Sequence, residues 1–323
     1  MILIVSNKSD ITSDFFVSKL TSLGLECFRL NTEDFPTAVD VCFRVDSANK
    51  VSGFIEDGIS RVDLSAIKGI WYRRPRPAEI SGQITDKHIQ ELCAREATVA
   101  LDGIIKSINC NWVSHPDKIR AAESKVYQLY SASRLGFRLP RTIITNVKSE
   151  IVAFGDSVCT NDRLVIKTIS SGRIECNEDE YLIYTNLFNL QDEPLERARF
   201  TANYLQEFVK KKTDIRVNVF GTQVFATKID TQQDPDWPIV DWRKYQDTVE
   251  YRMFDLPFEL EKRCVKLVRS LGLAFSAMDF VLDENDEYYF LEMNPNGQWA
   301  WIEEKTGAAL SMALVDILCK ERP

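Results

Sequence analysis

The sequence predicts an α/β protein that opens on a parallel-sheet unit and continues into a strand-rich α+β part. Three observations carry this. Residues 1–5 are an apolar run, 10–23 bear a helical stripe and 25–30 return as a second strand, so the chain opens as β-α-β. Beyond residue 204, strand patterns dominate, at 204–209, 215–220, 223–230, 277–282 and 288–292. The length, 323 residues, suits two or three structural units.

The elements follow in order. Asp10 stands where a helix cap belongs, and Phe15, Phe16, Leu20 and Leu23 share one face before Gly24. Residues 39–45 and 51–56 read as a hairpin, and 66–72 as an apolar strand cut off by Arg73-Arg74-Pro75-Arg76-Pro77. A long helix is expected over 85–108, with Ile89, Leu92, Ala97, Leu101, Ile104 and Ile105 toward the core. A second unit starts at His115-Pro116, with one helix over 119–135 ending at Gly136. Residues 164–168 form a strand, and Ser170-Ser171-Gly172 is a small-residue turn. Helices are expected at 258–271 and 307–318, on either side of a hairpin that turns at 283–287. The expected units are 1–113, 114–204 and 205–323.

Composition excludes several classes. Hydrophobic residues make up 45% and charged residues 27%, ordinary for a chain that buries a large core without disulfides. Acids outnumber bases 48 to 40, a net charge of −8, which argues against a general nucleic-acid binder. No apolar run approaches the roughly 18 residues of a spanning helix. The N-terminal run lacks the length and basic flank of a secretion signal, so a cytoplasmic protein with no membrane partner is expected. The eight cysteines never lie closer than 15 positions, which excludes a zinc ribbon or a thioredoxin-like pair. The two histidines, His88 and His115, sit in no nucleophile motif. Among 13 glycines there is no GxG and no Walker A sequence, so dinucleotide-fold and P-loop chemistry lose their usual signatures.

The stretch Met278-Asp279-Phe280-Val281-Leu282, a turn, and Phe290-Leu291-Glu292-Met293-Asn294-Pro295 carries the chemistry. Glu292 and Asn294 are two apart on a strand and share a face, and a hairpin brings Asp279 beside them. Two carboxylates and an amide oxygen form a hard, oxygen-only set suited to Mg²⁺ and phosphate. An exposed hairpin would place the same acids in solvent, but their neighbours are apolar, and an acid at a core edge needs a partner.

With Gln206-Glu207-Phe208-Val209 and Asp214-Ile215-Arg216 ahead of it, this pattern resembles the ATP-grasp superfamily and its ribosomal-protein-S6 glutamate-ligase branch. The ending Glu292-Met293-Asn294-Pro295-Asn296-Gly297-Gln298-Trp299-Ala300-Trp301, with Thr306-Gly307, is similar to the ATP-grasp maturases of microviridin-type peptides, the graspetides. Trp71-Tyr72-Arg73-Arg74-Pro75 and the opening β-α-β resemble that family's pre-ATP-grasp domain, so the likeness spans essentially the whole chain.

The resemblance implies an ATP-grasp fold behind an N-terminal pre-ATP-grasp α/β domain, with ATP and two Mg²⁺ as cofactors. It implies that Lys125, Lys167, Ser171, Gly172, Glu207, Phe208, Val209 and Asp214 bind nucleotide, and that Asp279, Glu292 and Asn294 hold metal. Arg216 would face the transferring phosphate, with Lys228 as a further catalytic candidate. Arg73 and Arg74 suit the interdomain seam. The family's chemistry activates an Asp or Glu side chain of a ribosomal precursor peptide as an acyl phosphate, then closes a ring with a Ser, Thr or Lys side chain. A homodimer is also implied.

Substrate contacts are expected at Arg243, as a clamp for acidic side chains, and at Trp299 and Trp301, which either wall the acceptor pocket or belong to the core. Residues 174–196 hold seven acids, Glu178 and Asp179 among them, and no Lys or Arg, which suits docking of a basic, apolar leader helix; a solvated acidic surface fits the same residues. Two other functions remain open: addition of an amino acid to a small molecule or a protein C-terminus, and binding without catalysis. Mass gain in a linear product marks the first. Nucleotide binding without ADP release marks the second.

Overall fold

The computed structural model describes residues 1–158, 164–170, 172–176, 179–191, 194–230, 240–245 and 249–321. The N-terminal apolar runs assemble as expected for strands covered on both faces. Strand β1 (Ile2–Ser6), helix α1 (Ile11–Ser22) and strand β2 (Cys27–Asn31) form the opening unit. Next come β3 (Asp40–Val45), β4 (Val51–Glu56), β5 (Arg61–Asp63), β6 (Gly69–Tyr72), helix α2 (Lys87–Lys106) and β7 (Asn111–Val113). The parallel sheet runs β2-β1-β6-β7, and β3-β4-β5 is a separate antiparallel sheet. All five residues of β1 are buried.

Helix α2 corrects one expectation. Only Leu101 and Ile105 are buried on it, with Leu3, Val5 and Ile70 in one core cluster. Ile89 is 47% and Leu92 43% exposed. The sheet is only four short strands wide, and the helix outruns it.

The expected single helix over 119–135 is two, α3 (Pro116–Ala122) and α4 (Lys125–Arg134). Ser124 breaks it, its hydroxyl accepting the Tyr127 N–H, so Lys125 opens a new helix. The next sheet holds β8 (Thr142–Thr145), β9 (Leu164–Lys167), β12 (Asn186–Phe188) and β13 (Asn203–Glu207) in the order β12-β9-β13-β8. Helix α5 (Lys148–Val158) covers its outer face through Ile151 and Val158 on Leu164 and Leu205. The hairpin of β10 (Arg173–Cys176) and β11 (Asp179–Leu182) stands beside it.

The last sheet is antiparallel, in the order β16-β15-β14-β17-β18. Its strands are β14 (Lys211–Phe220), β15 (Gln223–Asp230), β16 (Glu250–Phe254), β17 (Phe275–Asp283) and β18 (Tyr288–Asn294), and helix α6 (Phe258–Ser270) packs on one face. Ile215, Val217, Met278, Phe280 and Phe290 meet Leu260, Cys264 and Leu267 there. The expected helix over 307–318 is instead α7 (Ala300–Thr306) and α8 (Leu310–Leu318), divided by Gly307 at φ 72°. Both pack between the N-terminal sheet and the last sheet, joining Ile4, Phe16 and Trp71 to Phe220, Phe275 and Leu314 in one core. Gly69 admits the end of α8; a Cβ there would stand 2.5 Å from the Leu318 carbonyl oxygen.

Candidate active site

Alternation along the strands builds a cleft between two sheets. On β9, Val165 and Lys167 face inward while Leu164 turns to α5; on β13, Gln206 faces inward beside Tyr204. On the last sheet, Asp214, Asp279, Val281 and Glu292 face the cleft while Ile215 and Phe280 turn to α6. The cleft has a cavity volume of about 220 Å³. Val165, Ile183, Phe208, Val209, Val281 and Leu291 supply apolar wall, and Lys125, Lys167, Lys211, Arg243, Asp279 and Glu292 supply charge. An apolar slot with a charged end suits a flat base joined to a polyphosphate.

Asp279 and Glu292 are direct cross-strand partners, and Ala277 pairs with Asn294. A β-bulge between Asp279 and Phe280 decides which way Glu292 points. Phe290 pairs with Phe280 in the core under α6, and strict alternation would send Glu292 there too. The extra residue, Leu291, turns Glu292 into the cleft.

Cations bracket both acids. Arg216 Nη1 donates to both Asp279 oxygens at 2.8 Å, and Nη2 to the Gln298 carbonyl at 3.3 Å. Lys125 Nζ lies 3.3 Å from Glu292 and donates to the Thr168 carbonyl at 2.7 Å; Arg243 Nη1 lies 3.6 Å from Glu292. Burial pushes Glu292 toward protonation, but Lys125, Arg243 and Lys167 outweigh it and hold its carboxyl below the usual range. Burial brings the Lys167 ammonium down to about 8, against the pull of Glu292. Burial raises Asp214 to about 6, although Lys211 Nζ lies 2.6 Å away. Asp241 takes two bonds from the Arg243 guanidinium, at 2.8 and 2.7 Å; burial alone would raise it, and those bonds hold it low.

The cleft therefore gathers Lys125, Lys167, Glu207, Phe208, Val209, Asp214, Arg243, Asp279 and Glu292, with Arg216 immediately behind Asp279. Asn294 ends β18 on the same face, its Oδ1 accepting the Asn296 N–H at 3.0 Å. Gly172 lies off the cleft lining, at φ 67°, and its carbonyl accepts the Ile183 N–H at 2.7 Å. Ser171 and Glu178 lie outside the described residues, as does the side chain of Asp179.

Two expectations are corrected. Lys228 pairs in register with Ile215, so it points to the α6 side of the sheet, where Asp230 holds it at 3.0 Å. Trp299 is fully buried against Phe16, Trp71 and Phe220 and walls no substrate pocket. Two residues on, Trp301 reaches the cleft side and meets Tyr251 and Trp242 at ring distances of 4.7 and 5.6 Å. Lys211, Asp241 and Gln128 were not singled out from the sequence. The signal for Lys211 was available, three residues before Asp214, but a second bulge was needed to aim both inward.

The donor set fits magnesium: two carboxylates and an amide on one face, oxygen only. Among the described residues, no three His, Cys, Asp or Glu side chains form a cage.

Residues 125–318 match the RimK-like ATP-grasp domain model. The chain belongs to the RimK-like ATP-grasp family. Residues 1–120 match the MvdD pre-ATP grasp domain. Among solved structures, the macrocyclase MdnC of Microcystis aeruginosa MRC, bound with precursor peptide MdnA, is 26% identical with TM-score 0.85, over 99% of both chains. A Chryseobacterium gregarium RiPP-associated ATP-grasp ligase, in complex with ADP and a leader and core peptide, is 26% identical with TM-score 0.89, over 100% of this chain and 97% of that one. The macrocyclase MdnB of Microcystis aeruginosa MRC is 25% identical with TM-score 0.80, over 99% of both. No curated protein matches the sequence. Among the described residues, no helix is long and apolar enough to cross a membrane.

Proposed function

We propose that this chain is an ATP-dependent peptide macrocyclase: it activates an Asp or Glu side chain of a ribosomal precursor peptide and joins it to a Ser, Thr or Lys side chain of the same peptide. The observation that carries this is the facing arrangement of Asp279 and Glu292 on one cleft wall and Lys167 on the other, with Lys125 reaching between them. The whole-chain likeness to one relative solved with its precursor and another solved with ADP and peptide supports it.

In this reading a peptide carboxylate oxygen attacks the γ-phosphorus of ATP, and the bond to ADP breaks. The hydroxyl or amine then attacks the acyl carbon, loses its proton, and inorganic phosphate leaves. Lys125 and Lys167 are compact cations that hold phosphate oxygens. Arg216 offers a fixed guanidinium to developing negative charge. Glu207, Phe208 and Val209 form the wall against the base, and Asp214 with Lys211 the buried floor beside it. Two magnesium ions belong to this reading: Asp279, Glu292 and Asn294 would hold them, and they would neutralise phosphate charge. Tyr181 and Leu182, 55% and 52% exposed on β11, support docking of a leader on residues 174–196. A reducing, cytoplasmic setting completes the reading, supported by cysteines spaced too widely for a metal or redox pair.

The test is mass spectrometry of a precursor encoded beside this chain, incubated with Mg-ATP. Loss of one water per ring, with one ADP released each time, is expected. A linear product that gains mass, or no change in any candidate peptide while nucleotide binds, would overturn the reading.

A further inference from the structure

Arg73 follows β6, in the motif Arg73-Arg74-Pro75, and takes no part in the cleft lining. Its side chain is 1% exposed. Burial, then the nearby charges of Arg74 and Arg216, disfavour its cation, while Asp10 favours it. A guanidinium at this depth needs fixed partners. Nε lies 3.4 Å from Asp10 Oδ2, and Asp10 is itself held by Ser6 Oγ at 2.9 Å and Ser13 Oγ at 2.6 Å. Nη1 donates to the backbone carbonyl of Asn296.

That carbonyl belongs to the turn that follows β18. The Asn296 N–H donates to Asn294 Oδ1 at 3.0 Å, and the Gly297 N–H to the Asn294 carbonyl at 3.1 Å. The Gln298 carbonyl accepts Arg216 Nη2. Gly297 leaves no slack: a Cβ there would stand 2.4 Å from Ala277 Cβ and 2.8 Å from Arg216 Nη2. The turn is thus gripped from two sides, by Arg216 on the sheet and by Arg73 from the N-terminal unit.

We propose that Arg73 is a positioning residue for the metal-nucleotide site: by pinning the Asn296 carbonyl to the N-terminal unit, it fixes the Asn294 amide and the backbone partner of Arg216. The inference rests on the ATP-grasp ligase reading above. It makes the N-terminal unit part of the site's geometry, although its side chains do not line the cleft. Lysine replaces the fork only in part, because one ammonium cannot serve Asp10 and the Asn296 carbonyl from the same two directions.

The test is calorimetric titration of ADP, with and without magnesium, into wild type, Arg73→Lys, Arg73→Met, Asp10→Asn and the double variant Asp10→Asn/Arg73→Met. The double variant removes the buried charge that Arg73→Met would strand, and so keeps the fold. With magnesium, affinity is expected to fall at least about tenfold in the double variant, and less in Arg73→Lys. Without magnesium, affinity stays within about twofold of wild type in both, and Asp10→Asn, which leaves the buried Arg73 cation without its carboxylate, loses Mg-ADP affinity in the same direction as the double variant. A folded double variant that binds Mg-ADP as wild type does overturns the inference. So does an equal loss with and without magnesium, which would mark a merely structural role. Wild type that binds no Mg-ADP would instead sink the ligase reading itself.

Discussion

Lys167 shows how one half-buried residue of the cleft wall ties electrostatics to ligand binding. Its ammonium sits near 8 because burial penalises the charged form more than Glu292 favours it. A lysine lowered on folding adds stability above its unfolded value, and that contribution is lost as pH falls through the folded one. At neutral pH the chain therefore carries this cation at some expense of stability, as expected of a group placed for an anion. Binding of a polyphosphate returns the group toward its ordinary value, so nucleotide binding takes up protons between about pH 8 and 10 and none near 6. Binding enthalpies in buffers of different ionisation heat should show this, and Lys167→Met should abolish it; enthalpies indifferent to the buffer at about pH 8.5 contradict it. Asp214 behaves oppositely as a carboxyl: raised to about 6, it stabilises the fold below its unfolded value, and that support fades as pH rises through the folded one.

At the scale of elements, β18 needs outside help. It is the edge of its sheet, so half its backbone groups have no strand partner. Gln128 on α4 supplies one set: Oε1 accepts the Met293 N–H at 3.1 Å, and Nε2 donates to the Met293 carbonyl at 2.8 Å and the Ala122 carbonyl at 2.7 Å. Met293 lies between Glu292 and Asn294, so the same helix that delivers Lys125 also fixes the strand that delivers the acids. Gln128→Leu should lower unfolding stability by about 1–3 kcal/mol, the range for a buried group left unsatisfied. Chemical denaturation measures it, and a variant as stable as wild type would show the clamp to be idle.

Across the whole molecule, one core unites the first sheet with the last. Trp299 stands at its centre, with Trp71 and Phe16 from the N-terminal unit and Phe220 from β14. Truncation there leaves a cavity at the seam, so Trp299→Ala should cost about 3–5 kcal/mol of unfolding stability. Near-ultraviolet dichroism followed through a melt should show both units unfolding in a single, earlier transition. A loss below about 1 kcal/mol would mean the seam is looser than the packing implies.

Local chemistry was legible wherever the sequence repeats with the period of its backbone. The parallel opening, the long antiparallel strands and the acids of 279 and 292 with the amide of 294 could all be read from apolar runs and two-residue spacing. Which face each side chain takes could not, because a bulge resets alternation and leaves no mark in composition. Hence Glu292 enters the cleft only through the irregularity at Leu291, and Lys228, which looks equivalent to Arg216, faces the other way. Partners distant along the chain were equally invisible. Gln128 meets Met293, and Arg73 meets Asn296, only because the folded core carries them together, and a linear pattern holds no record of such contacts.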